Sequence, residues 1–269
     1  MANPYEYNYG TSFGFSKTQS TGMKPIVNGI YTDAHSFRDF GLYPKEKPVI
    51  ETPEVQVTEI EVPGRDGRID TSELLDGIVH YYNRQGTFKF SQIGGRETWD
   101  STYALLKKKL HGKRKQIVID EEPDGYYEGR ITVEEPEYDS ERKVAYFELS
   151  ANLEPFKYRF MESDEDWLWD PFSFINGVIN EACGETQITN SGTVTIIGGQ
   201  NAVVPNIIVS NISGSHFYVS YPGHTGNVEL FAGDNLDNTP DLILKDDEDI
   251  TLTFTGTAKV RIKFRAGVL

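Results

Sequence analysis

The strongest local constraint on this 269-residue chain is the run of residues 59–70, which reads as strand, tight turn and strand. Its first four residues are extended in character, and Pro63 then fixes φ and removes a backbone donor. Gly64 and the pair Asp66-Gly67 supply the positive-φ positions that a short turn needs. The run predicts a β-hairpin, a feature of many β-proteins that does not by itself indicate an activity.

One α-helix is predicted over residues 99–110. Its apolar side chains recur at helical spacing and form a single stripe: Trp99, Tyr103, Leu106 and Leu110. Thr98 is the expected N-cap, and Gly112 is the expected C-terminal stop. The lysines at 107–109 fall in the last turns, where positive charge complements the helix dipole. This helix is the clearest single element of the sequence.

Residues 26–158 otherwise read as strands arranged around that helix. The candidate strands are 55–62, 78–82, 87–91, 116–120, 127–133 and 144–149. Phe88 and Phe90 alternate as expected for a strand with one covered face. In the first candidate the apolar parity changes between Val57 and Ile60. That change predicts a bulge or a strand covered on both faces.

After Pro171 the composition shifts toward Ile, Val, Thr, Asn and Gly, with turn signals every several residues. The candidate strands are 193–197, 207–210, 216–220, 228–232, 242–244, 250–254 and 259–265. Many short strands with regular turns predict an antiparallel β-sandwich of about 90 to 100 residues. The whole chain is therefore predicted to be mainly β, with a β-rich α+β N-terminal domain that contains one clear helix, followed by the sandwich.

The charge of the chain bears on nucleic acid. A formal net charge of −15 argues against a protein that grips DNA by its phosphates. An acidic wall would repel DNA, as suits a channel through which DNA slides. One basic cluster, residues 107–109 with 113–115, departs from this balance. Phosphate contact is one interpretation of the cluster, and a solvated helix end or salt bridges between subunits is the favoured alternative.

No group of residues in the sequence predicts catalysis, a cofactor or a metal. Cys183 stands alone, which excludes an internal disulfide framework and a cysteine-based metal cluster. The five histidines lack metal-ligand spacing, and the acidic run 246–249 lacks the alternating ligands of a calcium loop. No apolar run reaches the ~18 to 20 residues of a membrane span, and the first residues lack a signal-peptide core. The protein is predicted not to be an enzyme, not to enter a membrane and not to be exported by a cleavable signal.

Further landmarks accompany the 62–70 turn in a defined order. They are Asn28-Gly29, Ser-Phe-Arg-Asp-Phe-Gly-Leu at 36–42, Gly-Thr-Phe-Lys-Phe at 86–90, a helix ending Leu-His-Gly at 110–112, the acidic turn and strand at 120–131, and Leu-Glu-Pro-Phe-Lys-Tyr at 153–158. In that order and spacing they resemble the N-terminal domain of the distal tail proteins of long-tailed phages (siphophages) that infect Gram-positive bacteria. The resemblance covers roughly residues 26 to 160, just over half of the chain.

The resemblance implies a structural virion protein, a ring-forming baseplate hub at the distal end of a phage tail. Six copies would form a ring from the N-terminal domain, as one hexamer or as two stacked rings. One face would meet the tail tube protein and the other the tail-tip or baseplate protein. The galectin-like sandwich would point outward and hold receptor-binding proteins for host attachment. DNA would pass through the lumen without specific binding, and the protein, made in the host cytoplasm, would be located at the tail tip of the virion.

These expectations divide the chain into four parts. Residues 1–24 are an N-terminal arm, either disordered or ordered against a neighbouring subunit; 25–165 are the ring-forming domain; 166–171 are a linker; and 172–269 are the sandwich. The residues expected to maintain the structural turn and the ring domain are Pro63, Gly64, Asp66, Gly67, Trp99, Tyr103 and Leu106.

The alternative function is a carbohydrate-binding module that recognises host cell-wall glycan. Its candidate sugar contacts are Trp167, Trp169 and Tyr221. Such a module requires solvent-exposed aromatic rings on its sheet. The two tryptophans have a competing interpretation, in which they fill the seam between the domains.

Overall fold

The computed structural model describes residues 29–32, 34–74, 77–159, 163, 184–245 and 249–269, without the side chains of residues 123 and 124. Strands dominate this part of the chain, and two α-helices accompany them. The predicted fold class, mainly β with antiparallel sheets, is confirmed. The arm 1–24, the linker 166–171 and Cys183 lie outside the described residues.

The chain divides into two compact units. The first takes the described residues up to Ser72 together with Val79–Lys157. The second takes the described residues of Glu73–Ile78 and those from Tyr158 to Leu269. Each unit buries a hydrophobic cluster of its own.

The first unit is built on one large antiparallel sheet. Its elements are β1 (Ile30–Tyr31), α1 (Ser36–Phe40), β2 (Tyr43–Pro44), β3 (Val49–Ile50), β4 (Glu59–Glu61), β5 (Arg68–Asp70), β6 (Arg84–Ile93), α2 (Arg96–Lys109), β7 (Arg114–Ile119), β8 (Glu122–Val133), β9 (Glu137–Asp139) and β10 (Val144–Leu153). The strand order is β1-β7-β8-β10-β6-β2. In addition β3 pairs with β6, and β9 pairs with β10 beyond the end of β8. Strands β4 and β5 form a separate hairpin.

The core of this unit lies on one face of β6 and β10. These strands run side by side, with Phe88 opposite Leu149 and Phe90 opposite Phe147, and all four side chains are buried. Buried residues alternate along both strands, because successive side chains of a strand point to opposite faces. The alternation predicted for Phe88 and Phe90 is confirmed.

Helix α2 connects the end of β6 to the start of β7 and covers this core. The predicted stripe packs inward, with Tyr103 partly buried and its other three residues fully buried: Trp99, Leu106 and Leu110. Gly112 follows the helix with a φ of +72°, which agrees with its predicted role as the stop.

The predicted N-cap of α2 is wrong. The helix begins at Arg96, with Gly95 as the N-cap residue and no side-chain capping bond. Thr98 lies inside the first turn, where its N–H donates to the carbonyl of Gly95 at 3.0 Å. Arg96 and Glu97 both accept helical geometry, so the helix starts three residues earlier than the threonine suggested, with Glu97 in its first turn.

Two predicted strands of the first unit are also wrong in extent. Within 55–62 only β4 is a strand, and Val55 makes an isolated bridge with Tyr81. That bridge is all the pairing that 78–82 contributes among the described residues. Neither face of the 55–62 segment is covered, since the chain leaves the main sheet after β3. The parity change at Val57 therefore reflects an exposed segment.

The second unit contains a six-stranded antiparallel sheet of order β12-β17-β14-β15, with β13 on β17 and β16 on β14. The elements of this unit are β12 (Thr186–Ile188), β13 (Ser191–Ile197), β14 (Asn206–Ser220), β15 (Val228–Glu229), β16 (Gly233–Asp234), a 3-10 turn (Leu236–Asn238), β17 (Asp249–Lys263) and β18 (Gly267–Val268). The division between the two units falls within β11 (Lys157–Arg159), after Lys157. Phe217 and Phe254 stack in its core, with ring centroids 5.7 Å apart.

Four predicted strands of this unit merge into two. The strands predicted at 207–210 and 216–220 are both parts of β14, and those at 250–254 and 259–265 belong to β17, except for the last two residues. The polar residues between them form irregularities, with register shifts on either side of Ser213 and positive φ at Asn211 and Gly214. Of the remaining candidates, 228–232 is reduced to β15, and 242–244 forms only an isolated bridge from Leu244 to Val203.

Candidate functional site

The turn between β4 and β5 has a geometry that follows from its residue types. The N–H of Arg65 donates to the carbonyl of Val62 at 3.2 Å, with Pro63 and Gly64 between them. Gly64 has a φ of +82°. Proline second and a positive-φ glycine third are the signature of a type II turn.

The rest of the loop follows the prediction only in part. Gly67 has a φ of +78°, whereas Asp66, predicted to share this conformation, is not among the positive-φ residues. A Cβ placed on Gly64 or Gly67 would meet no atom within 4 Å. Glycine is therefore favoured at both positions by backbone conformation and not by close packing.

Hydrogen bonds hold the stem of this hairpin. The cross-strand pairs are Glu59 with Asp70, Ile60 with Ile69, and Glu61 with Arg68. At its base the N–H of Thr71 donates to the carbonyl of Thr58, and the N–H of Thr58 donates to the Ser72 hydroxyl, both at 2.8 Å. The hydroxyl and the N–H of Ser72 also donate to the carboxylate of Asp70, and these bonds lower the pKa of Asp70. The hairpin is ordered without being buried.

We call residues 51–70 the acidic hairpin segment. Its charged side chains, all exposed, are Glu51, Glu54, Glu59, Glu61, Asp66 and Asp70 against Arg65 and Arg68. Among the described residues, one ion pair forms here, between Arg68 and Glu59 at 3.4 Å. Three apolar side chains share the exposure: Val55 at 45%, Val57 at 56% and Ile60 at 51%. Burying the exposed half of each would contribute roughly 1 kcal/mol, which favours a partner on this surface.

Helix α2 places the other predicted ring-domain residues. Trp99 stacks on Tyr138, with ring centroids 5.5 Å apart and planes 20° from parallel. Leu106 is fully buried. The ring of Tyr103 lies beneath the Lys107 ammonium, whose Nζ is 4.0 Å from the ring centroid. These side chains hold the helix on the sheet and orient a lysine outward.

We call residues 107–115 the basic cluster. It contains six cationic side chains and no carboxylate: Lys107, Lys108, Lys109, Lys113, Arg114 and Lys115. Arg114 is paired within the unit, with Glu128 at 2.8 Å and with Glu154. Lys113 donates to the Lys108 carbonyl at 2.7 Å. Lys108 and Lys109 are exposed and form no ion pair with a described residue.

A buried His35–Asp120 pair joins α1 to the turn between β7 and β8. His35 Nε2 and Asp120 Oδ2 are 2.7 Å apart, and the two side chains are 3% and 7% exposed. His35 Nδ1 caps α1 by accepting the N–H groups of Phe37 and Arg38. Because Nδ1 accepts, the ring proton lies on Nε2 and is donated to Asp120. The same carboxylate oxygen accepts the N–H of Gly29 at 2.8 Å.

Sequence reasoning did not find this pair. Its members are 85 residues apart, and nothing in local spacing connects them. The available signals were the position of His35 directly before the Ser-Phe-Arg-Asp-Phe-Gly-Leu landmark and the position of Asp120 directly after a buried strand. A Cβ on Gly29 would overlap the Ser36 hydroxyl, which gives that landmark glycine a packing reason.

The candidate sugar contact in the second unit does not meet its own requirement. Tyr221 is 5% exposed, so its ring offers no open face. Its hydroxyl donates to Asp241, and His224 Nδ1 lies 2.6 Å from the same carboxylate. Burial, with this bond, raises the pKa of Tyr221, and the bonds from Tyr221 and His224 lower the pKa of Asp241. Trp167 and Trp169 lie outside the described residues.

Among the described residues, no group of three or more His, Cys, Asp and Glu side chains is placed to hold a metal ion. Over those residues no helix is both long and apolar enough to span a membrane. The first unit has two exposed surfaces of opposite charge, the acidic hairpin segment and the basic cluster.

The chain is similar to a solved phage protein in fold, although it matches no family by sequence. No protein-family model matches the chain, and no curated protein matches it. Among solved structures it is similar to the SPP1 Dit (gp 19.1) protein, described as a paradigm of the hub adsorption apparatus in phages that infect Gram-positive bacteria. The two chains are 14% identical, with a TM-score of 0.57 over 90% of this chain and 100% of that one. At this identity the likeness shows a shared fold.

Proposed function

We propose that this protein is a structural virion protein, the ring-forming hub at the distal end of a phage tail. The observation that carries the proposal is the fold shared with SPP1 Dit along the whole of that chain. The ordered landmarks between residues 26 and 160 support it independently, because they resemble the same class of protein. The described residues of the first unit also include two exposed surfaces of opposite charge, which suit contacts between proteins.

In this proposal residues 25–165 form the ring, residues 166–171 link them to the sandwich 172–269, and residues 1–24 are an arm. Six copies make the ring, singly or as two stacked rings. The tail tube protein binds one face and the tail-tip or baseplate protein the other, while the sandwich carries receptor-binding proteins. A contact repeated by a rotation that closes produces such a ring from identical chains.

The charge of the chain supports the proposed passage of DNA. A protein of net charge −15 repels the phosphates of DNA on balance. DNA can therefore slide through the lumen without binding there. The solvated lysines of the basic cluster would bind DNA only if they faced the lumen.

A glycan-binding role for the second unit is not favoured by the described residues. Tyr221 is buried, and its hydroxyl is engaged by Asp241. The hub role does not depend on sugar binding, so the two functions are tested separately. A glycan array with the full chain, and with Trp169→Ala as the variant, decides the second.

The test of the hub role is co-expression of the full chain with its tail tube and tail-tip proteins, followed by electron microscopy of the purified complex. We expect copurification with at least one of them and a sixfold annulus. A chain that binds neither protein and never forms an annulus would contradict the proposal.

A further inference from the structure

The two charged surfaces of the first unit point to the way in which copies join. We infer that the acidic hairpin segment of one copy docks on the basic cluster of the next copy around the ring. The inference rests on the proposed function, since it assumes that identical chains assemble. It adds the surfaces that meet and the chemistry that matches them.

The first step is the position of the two surfaces on the sheet. The acidic hairpin segment leaves the sheet directly after β3, which pairs with the outer side of β6. The basic cluster runs from the end of α2 into the start of β7, and the short β1 pairs only with the last two residues of β7. Strands β10 and β8 separate β6 from β7. Four strand spacings of about 4.8 Å therefore separate β3 from β7, which puts these two edges roughly 19 Å apart.

Helix α2 strengthens this separation. It spans 14 residues, about 21 Å, and connects the end of β6 to the start of β7. Its lysines therefore lie on the β7 side of the sheet, away from the β3 edge, where the acidic hairpin segment begins. Charged groups on these two edges are too far apart to form ion pairs with each other, because an ion pair needs a separation of about 4 Å or less. They can do so between copies, head to tail, which is the contact type that closes into a ring.

The second step is charge complementarity. The acidic hairpin segment carries six carboxylates against two arginines, and one described ion pair uses Glu59 and Arg68. Glu54 and Glu61 form no ion pair with a described residue, and neither do Lys108 and Lys109. Opposite patches steer identical copies into one orientation and penalise the pairing of like surfaces.

The third step is the apolar surface between the charges. Val55, Val57 and Ile60 lie about half exposed on the acidic segment. On the other surface Leu105, 38% exposed, precedes the lysines of α2. Apolar centres with a charged rim are the usual composition of a specific interface. A second copy of this chain supplies both the apolar and the charged partner at once.

The test is a charge exchange in the full chain. Glu54→Lys with Glu61→Lys reverses part of one surface, and Lys108→Glu with Lys109→Glu reverses part of the other. All four residues are exposed, so the fold should persist. We expect each double variant to weaken ring assembly about tenfold or more, measured by mass photometry under the conditions in which wild-type rings form. The quadruple variant should recover assembly, because its exchanged surfaces again match.

The control for the Glu54 and Glu61 variant is Glu135→Lys with Glu141→Lys. It makes the same change in net charge as that variant, at exposed positions outside both surfaces. It should assemble like the wild type. If both double variants assemble into rings as well as the wild type does, this inference is overturned and the proposed function still stands. Loss of assembly that the quadruple variant does not rescue would also overturn it. If the wild type forms no ring even with its tube protein, the proposed function fails and the inference with it.

One further outcome concerns DNA. If Lys108→Glu with Lys109→Glu leaves the ring intact but weakens retention of a double-stranded oligonucleotide, the basic cluster serves the phosphate backbone and the inference is wrong. Raising the salt concentration separates the same cases. We expect assembly itself to weaken at 0.5 M salt, because the Debye length there is only about 4 Å.

Discussion

The main sheet of the first unit and the β4–β5 hairpin are stabilised in different ways. Along β6 and β10 every second side chain is buried, and Phe88, Phe90 and Phe147 are at most 2% exposed. In the hairpin, Ile60 is 51% exposed, and order comes from a type II turn and the bonds at Thr58. An isolated two-stranded hairpin is marginal in water. The difference indicates that the sheet maintains the fold and that the hairpin contributes little to it, which suits the assembly role proposed for the hairpin.

The largest predicted effect separates two isoleucines. Ile131→Ala, at a site 1% exposed in β8, should lower the free energy of unfolding of the unassembled chain by about 2–5 kcal/mol through lost burial and a cavity. Ile60→Ala in the hairpin should change it by at most about 0.5 kcal/mol. Urea unfolding followed by circular dichroism measures both. Comparable losses at the two sites would show that the hairpin also belongs to the core.

The next effect separates two glycines. A Cβ on Gly129 in β8 would overlap the backbone carbonyl of Asn152, so Gly129→Ala should force the strands apart and cost about 3 kcal/mol. Gly64→Ala meets no neighbour but must hold a φ of +82°, which costs roughly 1 kcal/mol. Thermal unfolding of the two variants gives the order. A larger loss from Gly64→Ala would mean that the turn stabilises the unit more than its exposure suggests.

The smallest effect is a pH dependence confined to the hairpin. Bonds from Ser72 hold the pKa of Asp70 below its usual value, so the stability that they provide is present above about pH 4 and is lost as the pH falls through the lowered pKa. The protection factors of amides at the base of the hairpin, taken relative to the intrinsic exchange rate at each pH, should therefore fall on acidification, with little change along β6 and β10. Asp70→Asn is the control and should remove the acid-dependent part. An equal fall in the protection factors of both regions would contradict the assignment.

Sequence reasoning succeeded where a periodic pattern met a buried face. The stripe of Trp99, Leu106 and Leu110 and the alternation of Phe88 and Phe90 both match the core, because burial imposes these periods directly. It also placed positive φ at Gly64 and Gly67, where residue type dictates conformation.

It failed where a pattern had two physical explanations or where the partner was distant. The apolar residues from Val55 to Ile60 suggested a bulge or a strand covered on both faces, but these residues are about half exposed, and an exposed segment gives the same pattern. The strands predicted at 207–210 and 216–220 are one strand, which continues through Asn211 and Gly214 with irregular pairing. His35 and Asp120 meet only because the fold joins α1 to the β7–β8 turn. No local rule contains that contact.

The central claim is that copies of the first unit join head to tail into a closed ring. The most direct test is native mass spectrometry of the full chain, alone and with its tail tube protein. We expect a species of six or twelve times the 30.4 kDa of one chain. A single-chain mass under both conditions would contradict it.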